Sequence, residues 1–170
     1  MKIIIDTERI NICLAEERDI DRIMAFENHE ENRRFIWQGS YEEHLDEIGS
    51  DNILLMTLRE KSDDKMVGFA LGEVDRRSNV FELRRIAVSK KGRGYGREAI
   101  SGIMNYSFNT LKTNRFWLDV YPDHEVGIKL YRSLGMKLEG TLRQSYRSDR
   151  GYLDQMIFSI LREEYLEESR

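Results

Sequence analysis

The sequence holds one cysteine, one proline and three histidines among 170 residues. A lone Cys13 excludes an internal disulfide and any metal site built from several cysteines. It lies in the apolar run Ile10 to Leu14, where a thiol fits as a small core residue. His29, His44 and His124 have no zinc-ligating spacing, so no metal is expected. No apolar run approaches the ~20 residues that span a bilayer, and the opening Met1-Lys2-Ile3-Ile4-Ile5-Asp6 is too short for a signal peptide. The expectation is therefore a cytoplasmic chain with no membrane partner. An excess of positive charge is missing too. The net charge of -4 argues against general binding of nucleic acid. With 34% charged and 40% hydrophobic residues the chain suits a soluble globular fold. No low-complexity linker or repeat divides it, so residues 1–170 read as one domain.

Against that background the stretch Lys90-Lys91-Gly92-Arg93-Gly94-Tyr95-Gly96-Arg97 stands out. It follows the apolar run Ile86-Ala87-Val88 and opens a helical pattern. Glycine lets a backbone approach a ligand closely. The first amides of a helix lack intrahelical partners, and the helix dipole adds positive charge there. Such a loop suits a phosphate-bearing ligand, although an ordinary strand-to-helix turn on a basic rim has the same composition. Arg97-Glu98 stands where a Walker-type site needs lysine and Ser/Thr, which counts against the alternative of a nucleotide-binding module on the same loop. A dinucleotide fingerprint is excluded by Arg97 at its third glycine position.

The patterning predicts a strand at Ile10 to Leu14, a helix over Arg18 to Phe26, and a capping box at Ser40-Tyr41-Glu42-Glu43 opening a helix that stops at Gly49. Residues 28–40 show no period. Strands follow at Ile53 to Leu58, Met66 to Val74 and Val80 to Val88, as an antiparallel meander. The next helix carries Ala99, Ile100, Ile103, Met104, Ser107, Phe108 and Leu111 in one stripe, with Gly102 marking close packing. Arg115 to Val120 is a strand, parallel to its predecessor because a helix joins them. A helix over Asp123 to Leu134 ends at Gly135. Met136 to Tyr146 and Tyr152 to Leu161 form a final hairpin, and 162–170 is a charged end. The fold class is α/β: a mixed sheet in the order β-α-α-β-β-β-α-β-α-β-β, with one central parallel pair. Ligands favour the crevice where strand directions change.

Loop and order together resemble the GCN5-related N-acetyltransferase superfamily over about Ile10 to Leu161. Lys91-Gly92-Arg93-Gly94-Tyr95-Gly96 is similar to its Arg/Gln-x-x-Gly-x-Gly/Ala signature, with lysine at the first position. Leu130-Tyr131-Arg132-Ser133-Leu134-Gly135-Met136 resembles its Leu-Tyr-x-x-x-Gly-Phe block. His124 stands where an asparagine usually precedes that tyrosine by seven residues. The ending, Glu139 to Arg143 and Gly151 to Asp154, is similar to enzymes that acetylate ribosomal-protein N-termini or polyamines.

The resemblance implies transfer of an acetyl group from acetyl-CoA to a primary amine, by direct attack in a ternary complex. It assigns the backbone of Ile86, Ala87 and Val88 to the pantetheine arm, and Lys91, Gly92, Arg93, Gly94, Tyr95, Gly96 and Arg97 to the pyrophosphate. His124 joins them or caps its helix. Tyr131 becomes the general acid for the leaving thiolate, although its apolar face with Leu130 and Leu134 alone reads as core. Glu82 and Asp119 are the alternative bases, with Glu73 a third. Each carboxylate could equally pair with Arg84, Arg85 or Arg115. Phe35, Trp37 and Tyr41 line either the acceptor site or the core. The acidic balance favours a cationic amine. A monomer and a homodimer stay open, as does a non-catalytic acyl-CoA sensor on the same fold.

Overall fold

The computed structural model describes residues 1–168. Its strands are β1 (Lys2–Asp6), β2 (Ile10–Leu14), β3 (Ile53–Glu60), β4 (Met66–Asp75), β5 (Val80–Val88), β6 (Arg115–Val120), β7 (Lys137–Ser148) and β8 (Gly151–Leu161). They form one sheet in the order β1-β2-β3-β4-β5-β6-β8-β7. β5 and β6 run parallel; the other neighbours are antiparallel. The helices are α1 (Ile20–Asn28), α2 (Glu30–Arg33), α3 (Tyr41–Gly49), α4 (Tyr95–Asn105), α5 (Glu125–Ser133) and α6 (Arg162–Glu168). The mixed α/β sheet with an interior parallel pair matches the sequence reading.

Three elements escaped that reading. β1 adds an edge strand on β2, pairing Ile5 with Ile12. Its signal is weak because it is short and Ile3 stays exposed. α2 is a single turn without apolar period. α6 lies in the charged end, anchored by Tyr165, whose ring meets that of Phe108 at 5.0 Å. Residues 169–170 of that end lie outside the described residues.

The capping box of α3 forms as read: Ser40 Oγ accepts from the Glu43 amide, and the Ser40 amide donates to Glu43 Oε2. The helix stops at Gly49, but through an extended Ser50, because Gly49 does not take up the left-handed conformation. Gly135 does, at φ +80, and ends α5. Gly102 packs closely: a Cβ there would lie 3.0 Å from Thr7 Cγ2 and 3.2 Å from Ile5 Cγ2. Cys13 is fully buried, as expected of a core thiol.

The sheet has a core on each face. One gathers Phe81, Ile100, Ile103, Phe108, Phe116 and Phe158 under α4 and α5. The other gathers Ile23, Phe26, Phe69 and Ala87 under α1. Stacking of Phe81 on Phe116, centroids 5.3 Å apart, holds the parallel pair together at its start.

One irregularity positions everything that follows. Leu71 pairs with Arg85 but Gly72 pairs with Leu83, so Arg84 is an extra residue in β5. A bulge of this kind bends its strand and flips the side-chain parity beyond it. Phe81 and Leu83 face the α4 core, and so do Ile86 and Val88. Arg85 and Ala87 face the other side. Without the bulge Arg85 would follow Leu83 into the apolar core.

Gly68 lies opposite Val88 at the end of this bent strand. A Cβ on it would sit 2.3 Å from the Ala87 carbonyl oxygen, so the backbone must move. Gly68→Ala is expected to destabilise the fold by about 1–3 kcal/mol, read as a lowered urea midpoint. An unchanged midpoint would show that the two strands are not in tight register there.

Candidate active site

β5 and β6 pair at Val80, Phe81 and Glu82 only. β6 continues to Val120 along β8, while β5 bends away at the Arg84 bulge and runs to Val88 along β4. The strands part, and a cleft of about 290 Å³ opens between them. Its walls include Glu82, Ile86, Asp119, Tyr131, Phe35 and Trp37. Residues from β5, β6, α5 and the segment after α2 thus meet in one place.

The two carboxylates are half-buried and take no part in any ion pair among the described residues. The arginines that could have neutralised them are engaged elsewhere. Arg84 donates to Glu73, Arg85 to Glu27 and Glu47, and Arg115 to Glu139. Glu73 is therefore spent as a partner of Arg84. Burial pushes the Glu82 carboxyl above its usual range, with the Asp119 charge adding to the rise against the pull of Arg84. Burial raises Asp119 as well, against a 2.7 Å hydrogen bond from Gln155. Tyr131 belongs to the core cluster and to the cleft wall at once. Burial and the Asp119 charge push its phenol up to about 12.

Beyond β5 the chain turns through Gly92 (φ +70) and Gly94 (φ +81), both left-handed. Only glycine takes that conformation without strain. A Cβ on Gly92 would meet nothing within 4 Å, so this turn faces open space. α4 begins after Gly94, and its first intrahelical bond is Glu98 amide to Gly94 carbonyl. The amides of Tyr95, Gly96 and Arg97 precede that bond and have no helical acceptor. The loop is tied from below. Arg9, in the β1–β2 turn, donates to the Arg93 carbonyl (2.9 Å) and to Glu98 Oε2 (2.7 Å), and lies over the Tyr95 ring.

Residues 15–136 match the acetyltransferase (GNAT) family. The chain belongs to that family. It is 35% identical over 74 residues, 44% of this chain and 42% of the relative, to an uncharacterized N-acetyltransferase of Bacillus licheniformis. It is 30% identical over 84 residues, 49% of each chain, to a spermidine N(1)-acetyltransferase of Vibrio cholerae. The chain thus spans about half the length of the curated relatives it matches. The fold is that of a solved spermidine/spermine N-acetyltransferase of Vibrio cholerae, with TM-score 0.82 and 19% identity over 95% of this chain and 99% of the other.

Within this GNAT chain the side chains singled out from sequence divide. Glu82, Asp119, Tyr131, Phe35, Trp37, His124 and Ile86 come together at the cleft. Tyr41 does not: its hydroxyl bonds Glu17. The Tyr95 side chain turns inward and bonds Glu60, so its hydroxyl does not reach the open side of the loop. Lys90 ends on the same Glu60. Lys91 donates to Asn32, and Arg97 to Ser133. His124 makes no capping bond; its ring stacks on Phe35 at 4.1 Å.

One cluster went unread in the sequence. Glu27 and His44 are fully buried, and Arg85 nearly so. Arg85 bonds Glu27 Oε1 (2.6 Å) and Glu47; His44 bonds Glu47 Oε2 (2.7 Å) and Glu27 Oε2 (3.1 Å). The Gly39 amide donates to Glu27 as well. Residues on α1, α3, β5 and the loop before α3 thereby close a ring of two positive and two negative groups. Burial alone would lower the His44 pKa, but hydrogen bonds to Glu27 and Glu47 outweigh it and raise it to about 9. A group whose folded pKa is raised gives stability that is complete below its unfolded pKa and is lost as pH passes the folded one. Stability is therefore expected to fall between about pH 6.5 and 9, by on the order of 3 kcal/mol. Urea titrations across pH 6–10 test this. His44→Gln should be less stable at neutral pH and lack that slope. An equal slope in both proteins would show that His44 is not the titrating group.

Proposed function

We propose that this chain transfers an acetyl group from acetyl-CoA to a primary amine by direct attack within a ternary complex. The observation that carries the reading is the pair of unpaired, half-buried carboxylates facing Tyr131 where β5 and β6 part. Acetyl-CoA supplies the activated thioester; the residues around it must hold it, keep water out and move two protons.

The left-handed turn at Gly92 and Gly94, open at Gly92, fits a bulky pyrophosphate. The amides of Tyr95, Gly96 and Arg97 are its donors at the head of α4. Lys91, Arg93 and Arg97 add charge at an exposed edge, where single pairs contribute little. The β5 edge from Ile86 through Ala87 to Val88 has no β6 partner, which leaves main-chain groups for an extended pantetheine arm to bond as an added strand. In this arrangement the Val88 amide helps polarise the thioester carbonyl. His124 lies beside the same groove, stacked on Phe35.

An alkyl ammonium has a pKa of about 10.4, so it must lose a proton before it attacks. Glu82 is the stronger choice for base, because Asp119 is already engaged by Gln155. The two carboxylates share one cleft, and the Asp119 charge adds to the rise that burial gives Glu82. The phenol of Tyr131 stays protonated near neutral pH and can hand its proton to the departing thiolate. Desolvation raises the basicity of that thiolate too, which narrows the gap between the two groups. Relatives named as spermidine acetyltransferases put polyamines among the acceptors to try.

Release of free thiol from acetyl-CoA on addition of an amine panel tests the reading. Binding of acetyl-CoA with no thiol release across the panel would leave a binding domain instead. Tyr131→Phe is expected to lower kcat about 100-fold or more, in the range of general acid catalysis, with KM for acetyl-CoA changed little. Glu82→Gln should lower kcat/KM for the amine and remove its acidic limb; unchanged turnover in either variant would strip that residue of its role. Arg9→Ala frees the Arg93 carbonyl. It should raise KM for acetyl-CoA about fivefold, equivalent to losing one modest bond, and leave kcat nearly intact.

A further inference from the structure

The cleft continues outward into a second hollow of about 440 Å³, and the two share Ile36, Trp37, Tyr121 and Tyr146 as walls. Their charges are opposite. The inner cleft carries Glu82 and Asp119, neither of them in an ion pair among the described residues. The outer hollow is lined by Arg33, Arg34 and Arg147, against one carboxylate, Asp149. Ion pairing does not cancel this excess. Arg34 and Arg150 both end on the same oxygen, Asp123 Oδ2, at 2.8 Å each. Arg33 stands 3.7 Å from Asp149, too long for a hydrogen bond. Arg147 is exposed and has no carboxylate within ion-pair distance among the described residues. Four guanidinium groups at the mouth thus answer two carboxylates.

We propose that this mouth is an oxyanion subsite, and that the acceptor is a small amine whose far end carries a carboxylate or phosphate. The proposal rests on the acetyl-transfer reading above and names its substrate class. Such an acceptor places its amine against Glu82 and Asp119 and its oxyanion against Arg33 and Arg147. Guanidinium forks match carboxylate and phosphate oxygens in pairs, which a lysine ammonium does not. A polyamine fits the inner cleft but sets its remaining ammonium groups among the arginines, where like charges repel. The whole-chain charge of -4 points to a cationic acceptor; the local charge at the mouth points the other way, and it is the local field that a bound ligand meets.

The test compares kcat/KM for acetyl transfer to ω-amino acids of increasing length, to aminoalkyl phosphates, to the matching ω-amino amides, and to spermidine. The expected result is a preference for the oxyanion-bearing amines, at one chain length, over both the amides and spermidine. Arg147→Glu and Arg33→Glu, both on exposed side chains, should each shift the ratio of ω-amino acid to spermidine about fivefold or more toward spermidine. Arg77→Glu, in the β4–β5 turn away from the mouth, controls for net charge and should leave the ratio as it was. Preference for spermidine, or a ratio unmoved by the mouth variants, overturns the proposal while transfer itself stands. A rise in KM for acetyl-CoA with an unmoved acceptor ratio overturns it too, and makes the arginines a steering field for the cosubstrate. Acetyl-CoA that binds but transfers to no amine overturns the transfer reading and the subsite with it.

Discussion

One extra residue in β5 governs the architecture. Up to Glu82 the strand is an ordinary member of the sheet, paired with β6 and stacked through Phe81 on Phe116. Arg84 has no counterpart on β4, so the strand bends. β6 cannot follow, because six consecutive residues hold it to β8. An edge of main-chain groups is then left without a ladder partner inside the molecule. Elsewhere such an edge invites aggregation; here it starts in the wall of the cleft, at Ile86. The change in side-chain parity places Ile86 and Val88 over the α4 core and Arg85 on the opposite face.

That second consequence explains the buried charges. Removing four ionised groups from water is costly, and a buried ion pair is weak evidence for stability. Closure of the ring, with the Gly39 amide as an added donor, offsets the cost in geometry that a single pair does not reach. The ring also defines a wall. It joins α1, α3 and β5, and the guanidinium of Arg85 lies 5.7 Å from the Trp37 ring centre. Gly39 admits no side chain, because a Cβ would lie 2.8 Å from the His44 ring. The Trp37 side of the cleft is thus built on a neutralised base. With Arg85 held in the ring and Arg84 on Glu73, neither guanidinium forms an ion pair with Glu82 or Asp119.

Much of this was legible in the sequence, and the parts that were not share a cause. Periodicity located seven of the eight strands, and the parallel pair followed from the helix between β5 and β6. The glycine turn is legible because Gly92 and Gly94 serve conformation directly, both being left-handed. Tyr131, Glu82 and Asp119 were found through motif spacing and strand position, and they do converge. What stayed hidden depends on pairing across the fold. Nothing local says that Arg85 meets Glu27, 58 residues away, or that Arg9 reaches Arg93, 84 residues away. The motif position of Tyr95 points to the ligand, but the first turn of α4 turns its ring into the core. β1 and α6 escape the pattern because each half-buries only one or two apolar side chains, Ile4 and Ile5 in β1 and Tyr165 in α6, too few to set a period.

The same limit shows in the charge of the site. Composition returns a single number for the whole chain, and that number is negative. The fold separates the charge. Carboxylates without a cationic partner lie where the strands part, and arginines gather where the β7–β8 hairpin tip meets the segment after α2, joined there through Asp123. A ligand reads this gradient and not the sum. The contacts that hold the hairpin tip against that segment also set the polarity of the entrance. In the proposed reaction a change in either one alters which amines are admitted, without touching Glu82, Asp119 or Tyr131.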